Sequence, residues 1–154
     1  MQIVLVLHSL IRWAVLLFGL WSLLNGLTGV LGKRSFGSGD KRTGLFFMTS
    51  CDIQLILGLI LYFNNGWFSN MKNNAKEVMH TAGLRFFSME HLVMMLFAWI
   101  LVHIGYSSVK KAGSDVSKHR RALIFFGLAF VLILASIPWP FREAIARPWI
   151  RWFN

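Results

Sequence analysis

Four runs of apolar residues dominate the chain, at roughly 3–31, 43–64, 84–106 and 121–141. Each is near or above the ~20 residues that carry a helix across about 30 Å of hydrocarbon at about 1.5 Å per residue. None alternates with period two as an outer-membrane strand does, and an open sheet would leave backbone groups unpaired in lipid, whereas a helix pairs them internally. Between the runs lie GKRSFGSGDKRTG (32–44), a polar stretch from Asn64 to Gly83, and SSVKKAGSDVSKHR (107–120), all loop compositions. The pattern predicts an all-α chain: a single transmembrane domain over 1–154, built as an integral membrane four-helix up-down-up-down bundle. The tail REAIARPWIRWFN (142–154) is expected to lie in the interface as a short amphipathic segment. The first run has no basic segment before it, carries Arg12 within it, continues to about Leu31 and precedes no A-x-A site. It therefore reads as a retained helix rather than a signal peptide.

Composition supports the membrane reading. Hydrophobic residues make up 56% of the chain and charged residues 14%, against about 25% charged in a soluble domain. The net charge is +10, which in a soluble protein would raise the question of nucleic acid. Here the basic residues flank the apolar runs, so the charge is membrane-flank usage and no nucleic-acid partner is expected. The first and third loops carry nine basic residues: Lys33, Arg34, Lys41, Arg42, Lys110, Lys111, Lys118, Arg120 and Arg121. The opposite side has seven, Arg12, Lys72, Lys76, Arg85, Arg142, Arg147 and Arg151, set less densely. The denser side is assigned to the cytoplasm, which puts both termini outward in a bacterial inner membrane. Trp67, Trp139, Trp149 and Trp152 then fall near the outer boundary as an aromatic belt. The one cysteine, Cys51, excludes an internal disulfide, a Cys-rich metal site and c-type haem attachment, and reads as a small buried hydrophobe.

Ionisable groups at hydrocarbon depth are costly, so each is a candidate for function. They are His8, Arg12, Asp52, Glu90, His91 and His103, with Arg85 and Arg142 at the edges and Gln54 as a neutral companion. His8 and Arg12 share a helix face with Val15, Gly19, Ser22, Gly26 and Gly29. His91 shares one with Ser88, Met95, Ala98, Val102 and Gly105, and the second run presents Cys51, Gln54, Gly58 and Leu61 along one side. Such seams of small and polar residues mark the inward faces of bundle helices. Both histidines lie roughly 8–10 Å below the outer boundary by helix rise. The first and third helices face each other across a diagonal of about 11–14 Å, so two imidazoles could ligate one iron, as in bis-histidine haem.

Arg12, Arg85 and Arg142 would converge near that boundary and pair with haem propionates; the competing reading has them snorkel to headgroups. Glu90 would pair with an arginine or relay protons to a quinone. Asp52 is expected in an interhelical salt bridge or hydrogen bond. His103 lies 120° off the His91 face, so a second haem shared with His119 is the disfavoured reading, and His80 and His119 are expected to face solvent. Met94 and Met95 read as packing. Pro138 ends the fourth helix and opens the outer end of the bundle to a quinone ring or a partner's redox centre.

The stretches HSLIRW (8–13), IQLILGLILYF (53–63), RFFSMEH (85–91) and SIPWPFR (136–142) resemble the small four-helix bacterial membrane proteins labelled cytochrome b-like. A weaker similarity is to the membrane-bound protoporphyrinogen oxidases, and the carry-over falls on His8 and His91 as haem ligands. That family has a lysine shortly after its helix 3 histidine, and Leu92 to Met95 contain none. The resemblance implies one haem b and an electron carrier working with a quinone or another respiratory subunit. A haem-free accessory subunit and a porphyrinogen oxidase are the competing expectations. No P-loop, dinucleotide fingerprint or hydrolase elbow occurs.

Overall fold

The computed structural model describes residues 1–152. These residues are helical with no strand: α1 (Gln2–Leu31), α2 (Ser38–Asn64), α3 (Trp67–Asn73), α4 (Ala75–His80), α5 (Ala82–Arg85), a π-helical turn (Phe86–Glu90), α6 (His91–Lys110) and α7 (Asp115–Ser136). α5, the π turn and α6 run on as one rod, Ala82–Lys110. With it, α1, α2 and α7 make four helices long and apolar enough to cross a membrane.

Several boundaries differ from the pattern-based expectation. α2 starts at Ser38 rather than 43, drawing charged residues into its first turns. Asp40 accepts from the Gly37 N–H at 2.8 Å and takes the Arg34 guanidinium bidentately at 2.6 and 2.9 Å. The helix start thus gains an acceptor for an orphan donor, and the acid gains a charge-assisted partner. α7 starts at Asp115 rather than 121, where the Ser114 hydroxyl accepts from the Ser117 N–H at 3.3 Å as an N-cap. The polar stretch after Asn64 is not a loop but two short helices, entered through Gly66 at φ 76°, a left-handed turn that glycine adopts without strain. α7 ends at Ser136, short of the expected 141, because Ile137 before Pro138 is extended (φ −72°, ψ 130°). Residues 142–152 form turns that fold back on α1 rather than a helix, and the last two residues of the expected interfacial tail lie outside the described residues.

The long helices close a ring in which α1 packs on α2 and α7, and α6 packs on those same two. α1 and the α6 rod therefore stand on opposite corners, as the diagonal argument requires. The small-residue seam of α1 is buried at Val15, Gly19, Ser22, Gly26 and Gly29, and that of α6 at Ala98, Val102 and Gly105. At the core Phe47 and Phe126 meet edge to face, 5.6 Å between centroids. His119, expected in solvent, is fully buried. The early start of α7 puts it in the second turn, its ring against Gly29 and edge-on to Phe36 at 5.0 Å. His80 is exposed, as expected.

These close approaches need glycine. A Cβ on Gly29 would stand 2.2 Å from the His119 ring, and one on Gly105 would stand 2.6 Å from Phe125 Cβ. Gly105→Ala is expected to lower stability by about 1–3 kcal/mol through overpacking. Gly39→Ala, with nothing within 4 Å, should be neutral or slightly stabilising. Thermal unfolding of both variants in detergent, followed by circular dichroism, checks the contrast.

Candidate functional site

At the end of the ring where α1 begins and α7 stops, a cavity of about 370 Å³ opens between the helices. That is within the size range of cofactor pockets, about 300–1,000 Å³. His8, Arg12, Gln54, Gly58 and His91 line it, with Arg147 and Arg151 from the returning tail. Gly58 makes room for the first histidine, since a Cβ there would lie 3.2 Å from His8 Cε1.

The two imidazoles are held differently. His91 uses Nδ1 to hydrogen bond the Ser136 carbonyl at 2.8 Å. The carbonyl can only accept, so Nδ1 carries the proton and Nε2 keeps its lone pair with no partner among the described residues. A carbonyl behind one ring nitrogen is the usual way a metal-binding histidine is oriented. The Ser136 carbonyl is free because the extended conformation before Pro138 ends the helix there. His8 is steadied by Gln54, whose amide nitrogen lies 3.3 Å from His8 Nε2 and donates to the His8 carbonyl at 3.0 Å. His8 Nδ1 is buried without a partner, as are Arg12 Nε and Gln54 Oε1. Buried polar atoms are normally satisfied, so three orphans around one cavity point to a polar occupant. The π turn directly before His91 widens the rod by a residue, and such turns recur at functional sites. Its Ser88 carbonyl is held by the Tyr62 hydroxyl at 2.9 Å.

Of the arginines expected to converge here, only Arg12 reaches the cavity. Arg85 donates to Glu90 at 2.6 Å and to the Met79 carbonyl at 3.0 Å. Glu90 is therefore an ion-pair partner on the same rod rather than part of the cavity. Arg142 donates to the Ala135 and Ile137 carbonyls at 2.7 and 3.3 Å and stands over the Phe86 ring at 5.2 Å. Both arginines are occupied by free carbonyls at the ends of α4 and α7. Their place is taken by the tail. Arg12 donates to the Trp149 carbonyl and to the Pro148 carbonyl, the latter at 3.4 Å. Trp13 Nε1 donates to Trp149 at 3.0 Å, and the Arg151 N–H donates to Ser9 Oγ at 3.1 Å. This strap brings Arg147 and Arg151 over the cavity mouth. Burial, and then the neighbouring Arg151, hold the Arg147 guanidinium below its ordinary pKa. Periodicity does not reach a strap that is not helical; Pro138 and Pro140, followed by arginines at 142, 147 and 151, were the available signal.

Elsewhere, Asp52 accepts from Trp99 Nε1 at 2.6 Å and pairs with His103 Nε2 at 3.2 Å. His103 and His119 thus engage different elements. No group of three or more His, Cys, Asp or Glu able to hold a metal ion occurs among the described residues. Comparison with protein-family models, with curated proteins and with solved structures gives no match.

Removing the anchor should free the strap. Arg12→Leu loses hydrogen bonds of the charged kind, about 1.5–3 kcal/mol each, so chymotryptic cleavage after Trp149 in detergent is expected to accelerate about tenfold or more. Equal protection of the tail in wild type and variant would overturn the strap's dependence on Arg12.

Proposed function

We propose that the chain is a b-type haem protein of a bacterial cytoplasmic membrane, crossing it four times up-down-up-down with both termini outward. It would pass electrons to or from a quinone or a partner redox subunit. One observation carries the reading: two histidines from opposite corners of the helix ring line the same cavity, and each keeps a ring nitrogen, Nδ1 of His8 and Nε2 of His91, without a hydrogen-bond partner among the described residues.

The donor set favours a porphyrin over a bare ion. Two imidazoles are too few to hold a metal ion by side chains alone, and no third His, Cys, Asp or Glu ligand stands by among the described residues. A porphyrin brings its own four nitrogens and leaves two axial positions. Arg12, Arg147 and Arg151 are suited to face the two carboxylates of such a ring, and they replace the expected Arg85 and Arg142 in that role. When bound, the haem would supply one-electron chemistry, its iron cycling between two oxidation states. His8 and His91 would hold it, the Ser136 carbonyl and Gln54 would fix their ring planes, and the cations would favour the more reduced state. Leu59, Met95 and Ile133 line the cavity and would shield a bound ring from water.

Purified chain reconstituted with haemin is expected to show a Soret band and a split α-band on reduction. His8→Ala and His91→Ala should each weaken haem binding by more than about 100-fold, beyond the cost of losing an outer-shell partner. A wild-type chain without a Soret band, or one whose spectrum neither variant alters, would sink the proposal in favour of a haem-free accessory subunit. Porphyrin accumulation on deletion would redirect it to porphyrinogen oxidation.

A further inference from the structure

On the side of the ring away from α1 and α7, the seam between α2 and α6 carries polar groups on its outer surface. The Asp52 side chain is 37% exposed and that of His103 is 34% exposed. Asp52 stands near the midpoint of α2 (Ser38–Asn64). It is therefore close to the middle of the bilayer in the membrane-spanning reading on which this inference rests. Three helical turns lie between it and either end, too far for an aspartate to reach headgroups.

The pair is only half satisfied. Asp52 Oδ1 takes both Trp99 Nε1 and His103 Nε2, and Oδ2 has no hydrogen bond among the described residues. His103 Nδ1 is spent on the Trp99 carbonyl at 3.0 Å. Exposed hydroxyl residues flank the pair on the same faces, Thr49 three residues before Asp52 on α2 and Ser107 four after His103 on α6. The exposed Ile56 and Ile100 continue the two stripes. A carboxylate oxygen turned toward acyl chains is among the most costly arrangements in a membrane. The same oxygen set against a hydroxyl of another helix is a stabilising contact.

We propose that this face is the interface of a homodimer, with the α2–α6 seams of two copies related by a two-fold axis along the membrane normal. Self-complementarity selects the occupant. The face holds a spare acceptor, Asp52 Oδ2, beside spare hydroxyl donors, and a two-fold axis sets equal depths opposite one another, so each copy's acceptor meets its partner's donors. Thr49 of the partner subunit, one turn from Asp52 along α2, is the nearest donor in depth. The flanking isoleucines supply packing.

Single-molecule photobleaching of fluorescently labelled full-length chain in liposomes tests this, with alkaline extraction confirming insertion and circular dichroism confirming helix content. At limiting protein-to-lipid ratio, wild type is expected to bleach mostly in two steps. The double variant Asp52→Leu/His103→Leu removes the pair without orphaning either member, and should raise the dissociation constant about three- to thirty-fold. In a Cys51→Ala background, Thr49→Cys or Ser107→Cys should form oxidant-dependent dimers, while Val131→Cys, 64% exposed on α7, should not. Single-step bleaching of inserted wild type at every dilution would overturn the proposal. So would undiminished dimerisation of the double variant, equal cross-linking at Val131→Cys, or pairing only with a different chain. Chain extracted by alkali would instead overturn the membrane reading, and haem content bears on neither outcome.

Discussion

A polar group set among apolar helices, away from water, must find its partner inside the protein or in something the protein binds, because hydrocarbon offers neither donor nor acceptor. The arrangement of this chain follows from where each such group finds its partner. Gln54 turns to the His8 backbone, and His91 turns to the carbonyl that α7 leaves free at Ser136. Arg12, one turn below His8, reaches out and captures the tail's carbonyls, folding residues 147–151 back across the ring. Among the groups these contacts leave open are those around the cavity and Asp52 Oδ2 on the outer seam; Ser22, Ser88 and both ring nitrogens of His119 are also buried without a partner among the described residues. The cavity groups call for a ligand and Asp52 for a neighbouring chain.

The cavity is a consequence of uneven packing along the ring. Toward the end of α1, glycines let the helices touch, with Gly26 against Leu123 and Gly29 against the His119 ring. Toward its start, the side chains opposite one another are two histidines, an arginine and Gln54, which do not interlock. α7 also stops at Ser136, some way short of the first residues of α1. Close packing at one end and a missing turn at the other leave an open volume at that height, and the strap roofs it rather than filling it.

Much of this was legible in the sequence because hydrocarbon imposes a simple rule. The four long apolar helices and the inward seams of α1 and α6 follow from run length and a 3.6-residue period. So does the diagonal placement of His8 and His91, since short connections make sequential helices neighbours. The failures share a cause. His119, Arg85 and Arg142 were assigned from depth and charge, but each is settled by a local partner: Gly29 for His119, Glu90 for Arg85, free carbonyls beside Pro138 for Arg142. Arg147 and Arg151 were placed on the correct side but not over the cavity, because no periodicity describes a chain that reverses through turns. The charged start of α2 read as a loop until Arg34 was seen to neutralise Asp40.

The two kinds of unfinished polarity differ in a way that separates their roles. Around the cavity the orphans are His8 Nδ1, Arg12 Nε and Gln54 Oε1, with the Arg147 and Arg151 side chains beside them, a setting that suits an anionic group. At the outer seam the spare group is a carboxylate oxygen beside hydroxyls, which suits a helix surface that offers hydroxyl donors at the same depth. Trp99 stands between them, lining the cavity while its Nε1 donates to Asp52, so the two places share one side chain.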